Sequence, residues 1–135
     1  MILHVYTDGA SRGNPGHSGI AYIITNVENK PIESFSKYIG IVTNNYAEYT
    51  ALLYAIRRVR EITGEKVFFY LDSELVVKQL NGAYKVKSKT LQKLYNTIVE
   101  ESKHLDCVFI HIPRELNKLA DKLAKEASFN IINNS

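Results

Sequence analysis

Three β-branched and aromatic segments near the N-terminus, Ile2 to Thr7, Gly19 to Thr25 and about Ile32 to Ile39, follow one another with only turn-forming stretches between them. The cluster Gly13-Asn14-Pro15-Gly16 and the polar run Asn26 to Lys30 leave no room for the crossover of roughly a dozen residues that parallel neighbours need. These segments therefore read as an antiparallel meander. Beyond them the periodicity changes. Leu52, Ala55, Ile56, Val59 and Ile62 recur at helical spacing between Asn44 and Ile62, with Arg57, Arg58, Arg60 and Glu61 on the other side. That spacing predicts an amphipathic helix capped by Thr43 or Asn44 and stopped at Gly64. Val67 to Leu71 is too short for a helix and predicts a strand buried on both faces. Ser73 to Leu80 and Leu91 to Lys103 predict two further helices, the second with Leu91, Leu94, Tyr95, Ile98 and Val99 on one stripe. Cys107 to Ile112 predicts a last strand closed by Pro113, and Leu116, Leu119, Ala120, Leu123, Ala124 and Ala127 mark a C-terminal amphipathic helix. The order β-β-β-α-β-α-α-β-α implies one mixed sheet covered by helices, an α/β layer architecture.

A chain of 135 residues suffices for one domain with one core, here residues 1–135 with a short tail from about 129. Its 45% hydrophobic and 23% charged residues exclude disordered, collagen-like and coiled-coil classes. The start MILHVYTDGA lacks the basic region of a signal peptide, and no stretch approaches the roughly 20 apolar residues of a membrane span. A cytoplasmic protein without a membrane partner is expected. The lone Cys107 cannot form an internal disulfide and reads as a small buried hydrophobe. A net charge of +3 names no partner by itself. Its distribution says more: from Leu75 to Val99 there are Lys78, Lys85, Lys87, Lys89 and Lys93, no acid, and the interleaved Tyr84 and Tyr95. Taken alone, this local positive field reads as a solvated lysine-rich surface more readily than as a phosphate-binding patch.

Four carboxylates stand out against this pattern. Asp8 and Asp72 each end a predicted strand and precede small turn residues, so both line one rim if those strands are parallel neighbours. Taken singly, each also fits a turn or helix N-cap. Glu48 lies four residues before Leu52, on the stripe that should be apolar, unless a place in the first helical turn lets it reach solvent. Asp121 borders the apolar stripe of the last helix, within ion-pair spacing of Lys118 and Lys125. A carboxylate set against core-facing surface must be paired, neutralised or bound to a cation. Oxygen donors suit Mg²⁺ or Mn²⁺, and no Cys/His spacing suggests zinc. Residues Gly9 to Gly16 match neither a P-loop nor a dinucleotide fingerprint.

The strings TDGASRGNPGHSG, TNNYAEYTAL, LDSELVVKQL and HIPRELNKLADKLA, each carrying one of these acids, resemble in order and spacing the four signature blocks of type 1 ribonuclease H. The resemblance covers nearly the whole chain. It implies a ribonuclease H-like fold, a mixed five-stranded sheet with three antiparallel and two further parallel strands flanked by helices. It implies Asp8, Glu48, Asp72 and Asp121 as the catalytic, metal-binding set for two Mg²⁺ or Mn²⁺ ions. The implied activity is hydrolysis of the RNA strand of an RNA/DNA hybrid, leaving 5′-phosphate and 3′-hydroxyl ends. It also implies hybrid binding by Asn14, by Thr43 at a phosphate, and by Asn44 and Asn45 in the minor groove. Amides both donate and accept, so they can bond a 2′-hydroxyl and base-edge acceptors.

The chain departs from the better-known bacterial pattern in three places. Asn81 to Ser88 is a short connection where that pattern inserts a basic helix and loop, and Lys85, Lys87 and Lys89 are candidates to replace it. The family's auxiliary histidine has two counterparts here: His111 has the matching offset from Asp121, and Arg114 resembles the substitute in compact relatives. Arg114 is favoured, in an orienting role, because a guanidinium stays protonated. Glu74 adds negative charge beside Asp72. The alternatives are a non-catalytic hybrid-binding module of the same fold, and a transposase or exonuclease relative that cuts DNA. No obligate protein partner is evident, and a monomer is expected.

Overall fold

A computed structural model describes residues 2–62 and 66–131 of the chain. The meander forms as expected: β1 (Ile2–Ser11), β2 (Gly16–Thr25) and β3 (Pro31–Val42) pair antiparallel in sequence. Helix α1 (Asn44–Ile62) then crosses to β4 (Lys66–Leu71), and the short α2 (Glu74–Leu80) and α3 (Lys89–Ser102) lead to β5 (Cys107–His111). A 3₁₀ turn at Arg114–Leu116 precedes α4 (Lys118–Ala127). The strand order is β3-β2-β1-β4-β5, with β4 parallel to both β1 and β5. This is the mixed five-stranded sheet that the sequence implies. The predicted helix stop at Gly64 and the tail position Ile132 lie outside the described residues.

One face of the sheet carries the main core. Leu3, Val5, Tyr22, Ile24, Val67, Phe69 and Leu71 pack against Leu52, Ala55, Ile56 and Val59 of α1, and Ile98 of α3 closes the layer behind it. Each fully buried aliphatic side chain contributes about 1.5–3 kcal/mol relative to exposure. Helix α4 covers the other face over β1, β2 and β3. It lies close because β2 presents Gly19 beneath it, where a Cβ would overlap the backbone at Ala124 and Ser128.

Three expectations change. Strand β4 is fully buried on the α1 side only; Phe68 and Tyr70 are half-buried and stack with His4 and Tyr6, because α4 lies over the other half of that face. Helix α4 buries its alanines, Ala120, Ala124 and Ala127, whereas Leu116 and Leu119 are exposed, since close approach to the sheet favours small residues. Cys107 is half-buried on the edge strand, packed against the margin of the core rather than enclosed in it.

Candidate metal and nucleic-acid site

Parallel pairing of β1 with β4 sets the first two acids. The register runs His4 with Phe68 and Tyr6 with Tyr70, so two residues further on it brings Asp8 opposite Asp72, both on the side where α4 lies. Strand β4 has ended at Leu71, whereas β1 continues to Ser11 against β2, with Asp8 opposite Ala21. Asp8 therefore sits inside a strand rather than at its end, at the point where the sheet opens on one side. Asp72 precedes Ser73, whose hydroxyl caps α2 by accepting the Val76 N–H at 3.3 Å.

Glu48 reaches the same point from the other side of the sheet. Helix α1 rests directly on Gly9, where any Cβ would overlap the backbone of Ala47 and Glu48. Thr43 caps the helix: its hydroxyl accepts the Tyr46 N–H at 3.2 Å. Glu48 consequently lies past the first turn and is buried, 3% exposed, which removes the solvent-reaching alternative. The carboxylates of Asp8, Glu48 and Asp72 offer oxygens within 4.8 Å of one another. Asp121 lines the same cleft and hydrogen-bonds with Asp8, while pairing with Lys125 at 3.0 Å.

The electrostatics follow from this crowding. Burial, then the charge and hydrogen bond of Glu48, then the charge of Asp72, raise the proton affinity of Asp8. Burial raises Glu48 too, against the hydrogen bonds from Asp8 and from the Gly9 N–H. Burial also pushes Asp121 upward, but the Asp8 hydrogen bond, Lys125 and Arg114 outweigh it and hold Asp121 low. Oε2 of Glu48 is buried with no hydrogen-bond partner. An orphaned, buried carboxylate oxygen beside two further carboxylates is the donor set of a hard-cation site.

The cleft, of about 460 Å³, is also lined by Ser11, Arg12, Asn44, Ser73, Arg114, Lys125, Ser128 and Phe129. Arg114 is thus brought to the acids. His111, exposed at the end of β5, is not among the residues lining the cleft. Glu74 is likewise outside the cleft and pairs with Lys78 at 2.9 Å. A second cavity lies alongside, lined by Asn14, Thr43, Asn44, Asn45, Ser88 and Thr90 among others. Asn14 and Asn44 clasp the β1–β2 turn to α1: Oδ1 of Asn14 accepts the Asn44 N–H at 3.0 Å, and Oδ1 of Asn44 accepts the Ser11 N–H at 3.3 Å. These internal bonds use the acceptors of the two side chains and not their amide N–H₂ donors. Lys85 and Lys87 are exposed on the connection before α3 and Lys89 is exposed as the first residue of that helix; none of the three is among the residues lining this cavity, though Lys89 lies between Ser88 and Thr90, which are.

One site residue was missed in the sequence. Asn117, 2% exposed, donates from Nδ2 both to the Thr7 carbonyl at 2.9 Å and to Asp72 Oδ2 at 3.0 Å. It occupies the N-cap position of α4, but its side chain makes no cap hydrogen bond and instead fixes Asp72 to β1. Only the distance across the fold distinguishes the two.

Residues 6–127 match the family model described as Reverse transcriptase-like. The chain is 36% identical over 93% of its length to "Ribonuclease HI" of Halobacterium salinarum, of which it spans 63%. It is 30% identical to "Ribonuclease H" of a Thermoanaerobacter species, with 93% of this chain and 88% of that protein covered. Among solved structures it is similar to LC11-RNase H1 in complex with RNA/DNA hybrid, at 39% identity and a TM-score of 0.91, covering 96% of this chain and 99% of that one. The chain spans 35% of mycobacterial relatives such as the "Bifunctional protein Rv2228c" of Mycobacterium tuberculosis, so some relatives carry substantial sequence beyond the matched part. A family match across most of the chain, and the same fold at high identity, agree with the geometry of the cleft: the chain belongs to the type 1 ribonuclease H family.

Proposed function

We propose that this chain hydrolyses the RNA strand of RNA/DNA hybrids, leaving 5′-phosphate and 3′-hydroxyl ends, with Mg²⁺ or Mn²⁺ held by Asp8, Glu48 and Asp72 and with Asp121 alongside. The observation that carries this reading is the meeting of three carboxylates within 4.8 Å around an orphaned Glu48 oxygen. When bound, a pair of divalent ions supplies an activated water and charge stabilisation at the leaving oxygen, so no nucleophilic side chain is needed. The protein's own residues hold and orient. Asn117 keeps Asp72 in place. Arg114, permanently charged at the cleft wall, orients the phosphate or assists product release. The amides of Asn14, Asn44 and Asn45 donate to 2′-hydroxyls and minor-groove acceptors, and Thr43 stands at a backbone phosphate, where its cap bond fixes its hydroxyl. Lys85, Lys87 and Lys89 attract the hybrid electrostatically.

The complex of the similar LC11-RNase H1 with RNA/DNA hybrid supports this substrate. We further infer a cytoplasmic location and a monomeric state, with the residues given forming one ribonuclease H domain. No helix among the described residues is long and apolar enough to cross a membrane. The test is incubation of the pure protein with labelled hybrid, RNA duplex, DNA duplex and single-stranded RNA, with Mg²⁺, Mn²⁺ or chelator. Metal-dependent cutting of the RNA strand of the hybrid is expected. Intact hybrid under every condition would leave only the non-catalytic binding module, and preferential cutting of DNA duplex would favour the nuclease relatives.

A further inference from the structure

The cleft contains a cation that the catalytic reading does not use. Arg12 is the first residue past β1, four positions after Asp8, and lines the cleft beside the carboxylates. Its Nε and Nη2 donate to the Ser128 carbonyl at 3.3 and 3.1 Å, just beyond the C-terminal end of α4. Its guanidinium carbon lies 4.0 Å from the centroid of the Phe129 ring. Ser128 is fully buried, whereas Phe129 is 66% exposed and forms part of the cleft wall. The guanidinium is therefore held along one edge and supported on one face.

Such anchoring satisfies only part of the group. A guanidinium has five N–H donors in a rigid planar fork, and two of its nitrogens here share one neutral carbonyl. Among the described residues no carboxylate pairs with Arg12. Lys125, by contrast, is already committed to Asp121 at 3.0 Å. The positive charge of Arg12 thus remains available beside a cluster of acids, and its orientation is set before any ligand arrives. A stacked, edge-anchored guanidinium loses little entropy on binding a phosphate and is more weakly hydrated than an ammonium.

We infer that Arg12, oriented by the Ser128 carbonyl and the Phe129 ring, binds a backbone phosphate of the RNA strand next to the one being cleaved. The inference rests on the proposed hybrid substrate, because a strand with its scissile phosphate at Asp8 must carry neighbouring phosphates past the cleft wall that Arg12 and Phe129 build. The C-terminal end of α4 then has a role in substrate recognition through its last carbonyl and the aromatic residue that follows.

The test is equilibrium binding of an RNA/DNA hybrid in chelator, where no cleavage occurs, across a salt series, for the wild-type chain and for Arg12→Gln, Arg12→Lys and Phe129→Ala. Glutamine keeps a donor for Ser128 and removes the charge, so Arg12→Gln should lower the slope of log affinity against log salt by about one and weaken binding about tenfold at moderate salt. Arg12→Lys should retain the slope. Phe129→Ala should weaken binding severalfold with the slope unchanged, since the charge stays but its orientation is lost. Thermal unfolding separates anchoring from recognition. A lower melting temperature for Arg12→Gln with an unchanged salt slope would show Arg12 to be a clamp on α4 only, and would overturn the inference. Failure of the wild-type chain to cut hybrid with Mg²⁺ or Mn²⁺ would overturn the proposed function, and this inference with it.

Discussion

Substituting Asp8 by Asn tests whether the carboxylates are crowded enough to need a cation. In metal-free protein, burial and the neighbouring Glu48 raise the proton affinity of Asp8 above neutrality from an ordinary value of 3.8. A group raised on folding contributes stability that is complete below its unfolded value and is lost as the pH climbs toward its folded value. Between pH 5 and pH 8 the folded wild-type chain therefore keeps about one proton that the unfolded chain has released. Each such proton costs about 1.4 kcal/mol per pH unit, so the wild type should lose about 4 kcal/mol over this range relative to Asp8→Asn. That is a large share of the 5–15 kcal/mol typical of a folded domain. Glu48, raised as well, adds a residual slope to both proteins. The assay is urea unfolding in chelator at four pH values. Adding Mg²⁺ should then restore the wild type at pH 8 and leave Asp8→Asn little changed, because binding to the native state alone stabilises it. Asp8→Asn should also abolish cleavage. Parallel pH curves for the two proteins in chelator would refute the crowding argument, and retained cleavage would refute the metal assignment.

Further outcomes follow from individual side chains. Asn117→Ala should cost about 1–3 kcal/mol in unfolding, since it leaves the buried Thr7 carbonyl without that donor, and should lower kcat by releasing Asp72; full activity would remove Asn117 from the site. Arg114→Ala should slow turnover, and His111→Ala should leave it nearly unchanged because His111 lies outside the cleft; the reverse order in steady-state kinetics would make His111 the auxiliary residue. Neutralising Lys85, Lys87 and Lys89 together should flatten the salt dependence of hybrid affinity by up to about 0.9 for each phosphate that these lysines neutralise, and an unchanged slope would return them to plain solvated surface.

Much of the fold is legible along the chain because its signals are local. Turn residues between β-branched runs force the meander, and the spacing of Leu52, Ile56 and Val59 specifies α1 together with its buried face. The misreadings share a cause in the third dimension. Strand β4 has an unbroken apolar sequence, yet half of it is covered by aromatic stacking with β1 rather than by a helix. The leucines of α4 follow a helical stripe, but its alanines are the residues that fit above Gly19.

The acids divide in the same way. Glu48 is visible as a charge on an apolar stripe, and Asp8 and Asp72 are visible as carboxylates where strands meet turns. The sequence by itself determined the elements, the residue types and, through four ordered blocks, the family. Only the tertiary structure decided that the β1–β4 register brings Asp8 opposite Asp72, that Gly9 admits α1 closely enough to bury Glu48 beside them, that the buried Asn117 reaches Asp72, and that Arg12 lines the cleft. Periodicity records which side of its own element a residue occupies. Distances between residues far apart in the chain arise only when packing and register fix the elements against one another.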